Sequence, residues 1–383
     1  MIAPEPFFEP RGTPFSEYHR IRALLDLGHT VDLVTYPFGK DVSLPGLRIF
    51  RAARPPFITR VKIGPSPAKL FLDMTLTLTA LNRARRGGYD AVHSHEEGAA
   101  IGVVIAAVLG VPHLYDMHSS LPQQLENFAF SRSAILRWMF QTLERTAITR
   151  SRVTVVICPH LEDTARKVAP DARVVLIENA PGSGDVPVAG SGKAIRQSLG
   201  IDASAPMVLY TGTFEAYQGL DLLFAAAKAV HAERPDVRFV LAGGKADQVA
   251  RAKSQAAAIG AHGLIFTGEL PSDAIPSYLD AADVLVSPRS SGTNTPLKIY
   301  QYLRSGRVIV ATRLLTHTQV LSDDVAILTE PTPESYAHGI LQAITDPEAA
   351  RKIGDAARLL ADTRYTYEAY LQRTREACAA LVA

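Results

Sequence analysis

Cysteine, tryptophan and net charge are all scarce in this chain, and each scarcity removes a class of answer. Of 383 residues, two are cysteine and one is tryptophan. Cys158 and Cys378 cannot form a disulfide framework, so a buried core must hold the fold. The formal net charge of +2 lacks the basic footprint of a dedicated nucleic-acid binder. No apolar run is long enough to span a bilayer; the longest small-apolar run, Ala99 to Gly110, reads as a buried helix. The start, MIAPEPF, shows neither a basic nor an apolar leader pattern, so cytoplasmic residence is expected. No Asp-x-Asp pair follows a strand, and no Cys/His set has ligand spacing, so neither a metal nor another cofactor is expected.

What the chain does have is a repeated alternation. Its length exceeds the size at which a single core usually stops growing, and 47% of its residues are hydrophobic. Short β-branched runs (Val31–Tyr36, Leu47–Phe50, Asp90–His93, His113–Asp116, Val153–Ile157, Val174–Ile177) alternate with helical patterns such as Phe15–Leu27, Ala68–Arg85 and Ile135–Thr149. Pro181 to Gly192 is a Gly/Pro/Ser stretch without periodicity. Beyond it the alternation restarts with Val208–Thr211, Val237–Ala242, Ile265–Thr267, Val284–Ser287, Val308–Ala311 and Ala326–Leu328. Such alternation predicts two doubly wound α/β domains with parallel sheets. The expected division is 1–180, a linker at 181–192, a second domain at 193–363, and a final helical segment at 364–383 that packs on either domain. Ligands of open parallel sheets bind beyond the carboxyl ends of the strands, so the natural site is a cleft between the two domains.

One such strand end carries a helix start suited to anions. Ser287-Pro-Arg-Ser-Ser-Gly-Thr-Asn-Thr-Pro-Leu-Lys follows Val284–Ser287, with Thr295 as the expected N-cap, Pro296 in the first turn and Gly306 at the helix end. Free N–H groups at a helix start attract phosphate, and Arg289 and Lys298 add full charges beside it. The plainer alternative is a capped helix with a solvated lysine.

Here the sequence resembles the retaining nucleotide-sugar glycosyltransferases of family four, whose two Rossmann-like domains face across a cleft in the GT-B fold. The matching stretch is TPLKIYQYLRSGRVIVAT. Leu241-Ala-Gly-Gly244, Phe266-Thr-Gly-Glu-Leu270 and Asp280 to Pro288 extend the likeness in the same order along the chain. The resemblance implies a nucleoside-diphosphate sugar as donor and a hydroxyl acceptor that is a glycan, lipid-linked or small molecule. It also implies donor contacts at Gly12, Gly212, Thr213, Gln218, Gly243, Gly268, Glu269, Leu270, Arg289, Thr295, Leu297, Lys298 and Gln301. Two departures stand out. Where the family has two glutamates eight positions apart, this chain has Thr293 and Gln301; where it has cations after the first strand of the second domain, this chain has Thr213 and Gln218. Thr293 and Asn294 then bond the sugar as neutral groups, giving a variant subgroup with a PRxxGTNTPLK pattern.

On the first domain, Pro10-Arg-Gly-Thr-Pro-Phe-Ser-Glu17 opens a helix at the family's glycine-rich loop. His93-Ser-His-Glu-Glu-Gly98 and Tyr115-Asp-Met-His-Ser-Ser120 each follow a strand. The resemblance assigns His95 and His118 to the acceptor side, where an imidazole can accept or orient a hydroxyl proton, and leaves His93 structural. Glu96 and Glu97 are adjacent and diverge, so they are poor flanking partners for one glycosidic bond. Finally, Arg48 to Arg86 holds nine basic residues and one acid, a local charge of 9 − 1 = +8. This is either a solvated basic face or a peripheral contact with anionic lipid. Catalytic transfer is the leading reading; a non-catalytic GT-B partner protein, or an epimerase or hydrolase on the same fold, are the alternatives.

Overall fold

The computed structural model describes residues 1–8, 12–59, 61, 66–123, 134–178 and 189–382. The chain divides into two compact units: unit 1 comprises Met1–Asn179 with Glu368–Ala383, and unit 2 comprises Ala180–Tyr367. The expected linker lies mostly at 181–188, outside the described residues.

Unit 1 is built on a seven-stranded sheet, β1 (Ile2–Ala3), β2 (Val31–Thr35), β3 (Leu47–Arg51), β4 (Val92–His95), β5 (His113–Met117), β6 (Val153–Val156) and β7 (Val174–Leu176). The strand order is β3-β2-β1-β4-β5-β6-β7, and every pairing is parallel. Helix α1 (Gly12–Asp26) covers one face through Ile21 against Phe7 and Leu33. On the other face α2 (Pro67–Ala84) and α3 (Ala99–Leu109) bury Leu72, Leu76 and Ile105 against Val34 and Tyr36. Next to them α4 (Ala134–Arg150) and α5 (Pro159–Val168) bury Ile148, Leu161 and Ala165 with Met117 and Val156. β4 starts and ends two residues later than its apolar run suggests. Its polar end still pairs in register, His95 opposite Asp116, with the two buried side chains 3.8 Å apart.

Unit 2 has six parallel strands, β8 (Met207–Thr211), β9 (Arg238–Ala242), β10 (Leu264–Gly268), β11 (Val284–Ser287), β12 (Val308–Thr312) and β13 (Ile327–Thr329), in the order β10-β9-β8-β11-β12-β13. Its helices are α6 (Gly192–Ser198), α7 (Leu220–Glu233), α8 (Ala246–Ala258), α9 (Ile275–Ala281), α10 (Leu297–Ser305), α11 (Leu315–Thr318), α12 (Pro333–Thr345) and α13 (Pro347–Arg364). Successive strand residues point to opposite faces, and both faces are buried. Val208, Val286 and Val310 meet Phe224 and Ile340, while Leu209, Leu285 and Ile309 meet Ile299 and Leu303. The fold is thus two Rossmann-like parallel-sheet units. The last helix, α14 (Tyr367–Val382), packs on unit 1: Arg373 donates to the Leu176 carbonyl at 2.9 Å, and Thr374 and Tyr370 contact Arg20.

The basic window is less basic in space than in sequence. Asp32 on β2 sits in register with Arg48 and pairs with it at 2.6 Å and with Arg83 at 3.1 Å. Arg51 pairs with Asp41, Lys69 with Glu97, and Arg54 donates to the Ile58 carbonyl. Arg60 and Lys62 lie outside the described residues. Three acids from beyond the window, Asp32, Asp41 and Glu97, pair with four of its cations, which a count along the chain does not see.

Candidate functional site

In unit 2 the strand order reverses between β8 and β11, so the crevice beyond those two strand ends is the place where a doubly wound sheet holds ligands. The loops that follow them are locked together by glycine. Gly219 has φ +72°, and a Cβ there would lie 1.9 Å from the Pro288 carbonyl oxygen. Ser290 N–H donates across to the Tyr217 carbonyl at 3.3 Å. Gly212, with φ +138°, donates to the Ala242 carbonyl, and Gly243 lies so close above it that a Cβ would fall 1.9 Å from the Gly212 oxygen. Gly243 in turn donates to Gly268 at 2.8 Å, which brings the β8, β9 and β10 ends into one rim. Glu269 is exposed on that rim and Leu270 packs into the core behind it.

Lys298 crosses this crevice. It is buried, donates to the Thr211 carbonyl at 2.9 Å and the Gln218 amide oxygen at 3.4 Å, and its ammonium lies 3.9 Å from the Tyr210 ring centroid. Burial, reinforced by Arg289, holds its pKa well below the usual lysine value. The solvated-lysine alternative is therefore ruled out. Gln218 lies 3.5 Å from the Thr213 hydroxyl, and Tyr210 donates to the Thr213 carbonyl, so Gly212, Thr213, Gln218 and Lys298 form one cluster. Arg289 lies over the Tyr217 ring and donates to the Asn294 carbonyl and the Thr316 hydroxyl, both at 3.1 Å. Gln319 donates to the Thr293 carbonyl at 2.7 Å. The Thr293–Asn294 backbone is thereby tied to the α11 region.

The helix start differs from expectation by one residue. Pro296, not Thr295, is the N-cap of α10, and no side chain caps it. Proline has no N–H, and its fixed φ of −65° suits the entry to the helix. The Thr295 hydroxyl is instead buried with no hydrogen-bond partner among the described residues. Leu297 and Gln301 are half-buried on the first and second turns, and Gly306 closes the nine-residue helix at φ +70°.

In unit 1 the reversal falls between β1 and β4, with β5 alongside. Here a charged cluster is buried. Asp116 on β5 is fully enclosed; Arg20 of α1 donates to its Oδ2 at 2.9 Å, and His93 Nε2 lies 3.2 Å from the same oxygen. His118 Nε2 is 3.1 Å from Oδ1, an ion-pair distance. His95 is the last residue of β4 rather than beyond it, stacked on His93 with ring centroids 4.9 Å apart and 3.8 Å from Asp116. The assignment of His93 to structure and His95 to function on strand membership therefore does not separate them. Burial alone would raise the Asp116 pKa, but Arg20, His118 and His95 hold it well below the usual value. Burial works against a charged His118, yet Asp116 raises its pKa above the usual value, whereas burial pushes His95 well below. His93, His95 and Asp116 have the spacing of a cation site, but Arg20 already supplies the positive charge at that carboxylate. Glu96 follows with φ +48°; burial, then Glu97, pushes it up to about 8, and Ser119 donates to it at 2.7 Å. Gly12 begins α1, while residues 9–11 of the expected glycine loop lie outside the described residues.

Asp116 and Arg20 were missed in sequence because one hides in an apolar strand and the other in a helix. The available signal was the acid itself: a carboxylate inside a strand buried on both faces must find a partner.

Known proteins resemble the chain along most of its length. Residues 192–360 match the family described as glycosyl transferases group 1, and residues 18–180 match the glycosyl transferase 4-like domain. The 2-deoxystreptamine N-acetyl-D-glucosaminyltransferase of Streptomyces fradiae is 30% identical over 270 residues, 64% of this chain and 63% of that protein. Among solved structures, sucrose-phosphate synthase from Thermosynechococcus elongatus aligns with a TM-score of 0.81 at 19% identity, covering 100% of this chain and 98% of the other. Anabaena HepE in complex with UDP-glucose aligns at 0.76 and 17% identity, covering 99% of each chain. At such identities these two speak for the fold.

Proposed function

The chain belongs to the GT-B glycosyltransferase family, and we propose that it transfers a hexosyl group from a nucleoside-diphosphate sugar to an acceptor hydroxyl with retention and without a metal ion. The observation that carries this reading is the unit 2 crevice. Glycine-lined strand ends, the start of α10, the buried Lys298 and a Thr295 hydroxyl without a partner among the described residues meet at the point where a doubly wound sheet holds phosphates.

In this proposal the diphosphate rests on the α10 start with Thr295, Leu297 and Lys298, supported by Arg289. Gly212, Thr213 and Gln218 line its other side, while Gly243, Gly268, Glu269 and Leu270 meet the nucleoside. Gln301 takes the ribose hydroxyls through its neutral amide, and Thr293 and Asn294 face the sugar. The anomeric C–O bond breaks toward the diphosphate, whose developing charge meets the helix dipole and the fixed donors. The acceptor hydroxyl forms the new bond on the same face and passes its proton to the departing phosphate oxygen. Gly12 approaches the donor from unit 1, His118 and His95 belong to acceptor binding, and the Asp116 carboxylate orients the imidazole of His118.

Thermal unfolding with UDP-, GDP- and ADP-sugars, followed by an assay of slow donor hydrolysis, tests this. Stabilisation by one nucleotide together with release of free sugar is the expected result. No shift with any nucleotide would refute the donor site and favour a non-catalytic partner protein.

A further inference from the structure

Three neighbouring helices of unit 1 show water an unusual surface. α2 packs on α3 and α3 on α4. The chain exposes fifteen large hydrophobic side chains among the described residues, and nine stand on these three helices. Leu70, Met74 and Leu78 form a stripe at four-residue spacing along α2, with Phe71 beside it in edge contact with Phe57. Val104 and Val108 continue the surface on α3; Ile135, Trp138 and Met139 extend it on α4. Leu70 is 72% exposed and Trp138 64%. In unit 2, by contrast, exposed hydrophobics are single residues, Tyr217, Ile259, Leu315 and Leu359. Scattered ones need no explanation, but a contiguous group does.

The charges on the same helices are of one sign. α3 has no charged residue. On α2 the only acid, Asp73, accepts from the Tyr36 hydroxyl, and on α4 the only acid, Glu144, is buried and accepts from Leu121 N–H at 2.8 Å. Arg85 and Arg86 at the end of α2, with Arg137, Arg145 and Arg150 on α4, are exposed and have no ion pair among the described residues. An ordinary solvated helix looks different: on α8 and α13 three exposed cations are matched four residues away, in Arg251–Asp247, Arg351–Asp355 and Lys352–Glu348.

We propose that the α2–α3–α4 face is a docking surface for an anionic lipid bilayer. Apolar side chains enter the headgroup boundary while the arginines meet lipid phosphates. A second copy of the chain fits less well, because its arginines would face these arginines with no exposed acid on either helix set to answer them. The expected Arg48–Arg86 contact is thereby narrowed to its end at Arg85 and Arg86, since Arg48, Arg51, Lys69 and Arg83 are paired with acids. The inference stands apart from the transfer reading, and its readout does not involve donor or acceptor.

Trp138 is the sole tryptophan, so its emission reports on the face directly. The full chain is mixed with phosphatidylcholine vesicles containing about three parts in ten of phosphatidylglycerol, and with phosphatidylcholine alone. A blue shift and co-flotation with the anionic vesicles, weakened by salt, are expected. Arg137→Gln with Arg145→Gln should lower partitioning about 30-fold, from about 1 kcal/mol per cation at an anionic surface. Met74→Gln with Leu78→Gln should also weaken it. Both pairs are exposed, so unchanged thermal unfolding verifies their folding. Unaltered Trp138 emission with anionic vesicles would overturn the proposal. So would equal binding by the arginine variant, or a lipid-free, concentration-dependent dimer that buries Trp138.

Discussion

Asp116→Asn isolates the electrostatics of unit 1, because it removes one charge at nearly constant size. Asp116 is completely buried and Arg20 is 3% exposed, so neither can turn to water when its partner changes. Arg20 cannot lose its proton at any accessible pH. The variant therefore leaves a buried guanidinium facing a neutral amide, a loss expected at about 3–5 kcal/mol. Arg20→Met keeps the aliphatic packing near Tyr370, and His93 and His118 still face the carboxylate, so a smaller loss of about 2–3 kcal/mol is expected. In the double variant no lone charge from the pair remains. Its loss should fall short of the sum by at least about 2 kcal/mol. Urea unfolding followed through Trp138 emission reads unit 1 specifically.

The pH dependence has a definite sign. The carboxylate of Asp116 is held below its usual pKa, so its contribution is present above the unfolded value and lost as pH falls through the folded one. His118 is raised by Asp116 against its burial, so its part is complete below the unfolded value and lost as pH rises through the folded one. The stability gap between wild type and Asp116→Asn should therefore be wider near pH 6 than near pH 9, by about 1.4 kcal/mol for each pK unit that Asp116 contributes to His118. Additive single losses in the cycle, or a gap that widens with rising pH, would refute the reasoning.

Two further perturbations probe unit 2. Gly219→Ala places a side chain at φ +72° against the Pro288 carbonyl and should lower stability by about 2–4 kcal/mol, whereas Gly260→Ala, at φ +69° in open space, should cost about 1 kcal/mol; equal losses in thermal melts would remove the case for locked loops. Thr295→Val deletes a buried hydroxyl without a partner among the described residues. The unliganded protein should gain about 1 kcal/mol while nucleotide-sugar affinity falls about tenfold; calorimetry showing unchanged affinity would take Thr295 out of the donor site.

The alternation of strand and helix was legible because parallel strands buried on both faces must be written as short apolar runs. The run Val308–Ala311 could hardly be anything else, and β12 occupies it with one residue more. The end of β4 was not legible, because His93 to His95 are polar and a period-based reading stops where apolarity stops. What continues the strand is Asp116 across the register, a partner twenty-one residues beyond His95. The helix start was misread by one position for a related reason. Thr295 has the side chain of a good cap, but only the backbone shows that Pro296 takes that place and leaves the hydroxyl to something else.

Lys298 and Asp116 illustrate how the same polarity can serve opposite ends. Each is a buried charge beside the reversal point of its own sheet, where strand-end loops leave room for polar groups. Asp116 has the Arg20 guanidinium and His118, whose pKa it raises, beside it, so its charge is already answered within unit 1. Among the described residues Lys298 meets neutral oxygens, from Thr211 and Gln218, and the Tyr210 ring, with Arg289 acting against its charge. A buried ammonium without an acid is costly alone and becomes favourable when an anion arrives. That asymmetry supports the proposed anion site in unit 2 and the proposed role of unit 1 in binding the neutral, hydroxyl-bearing acceptor.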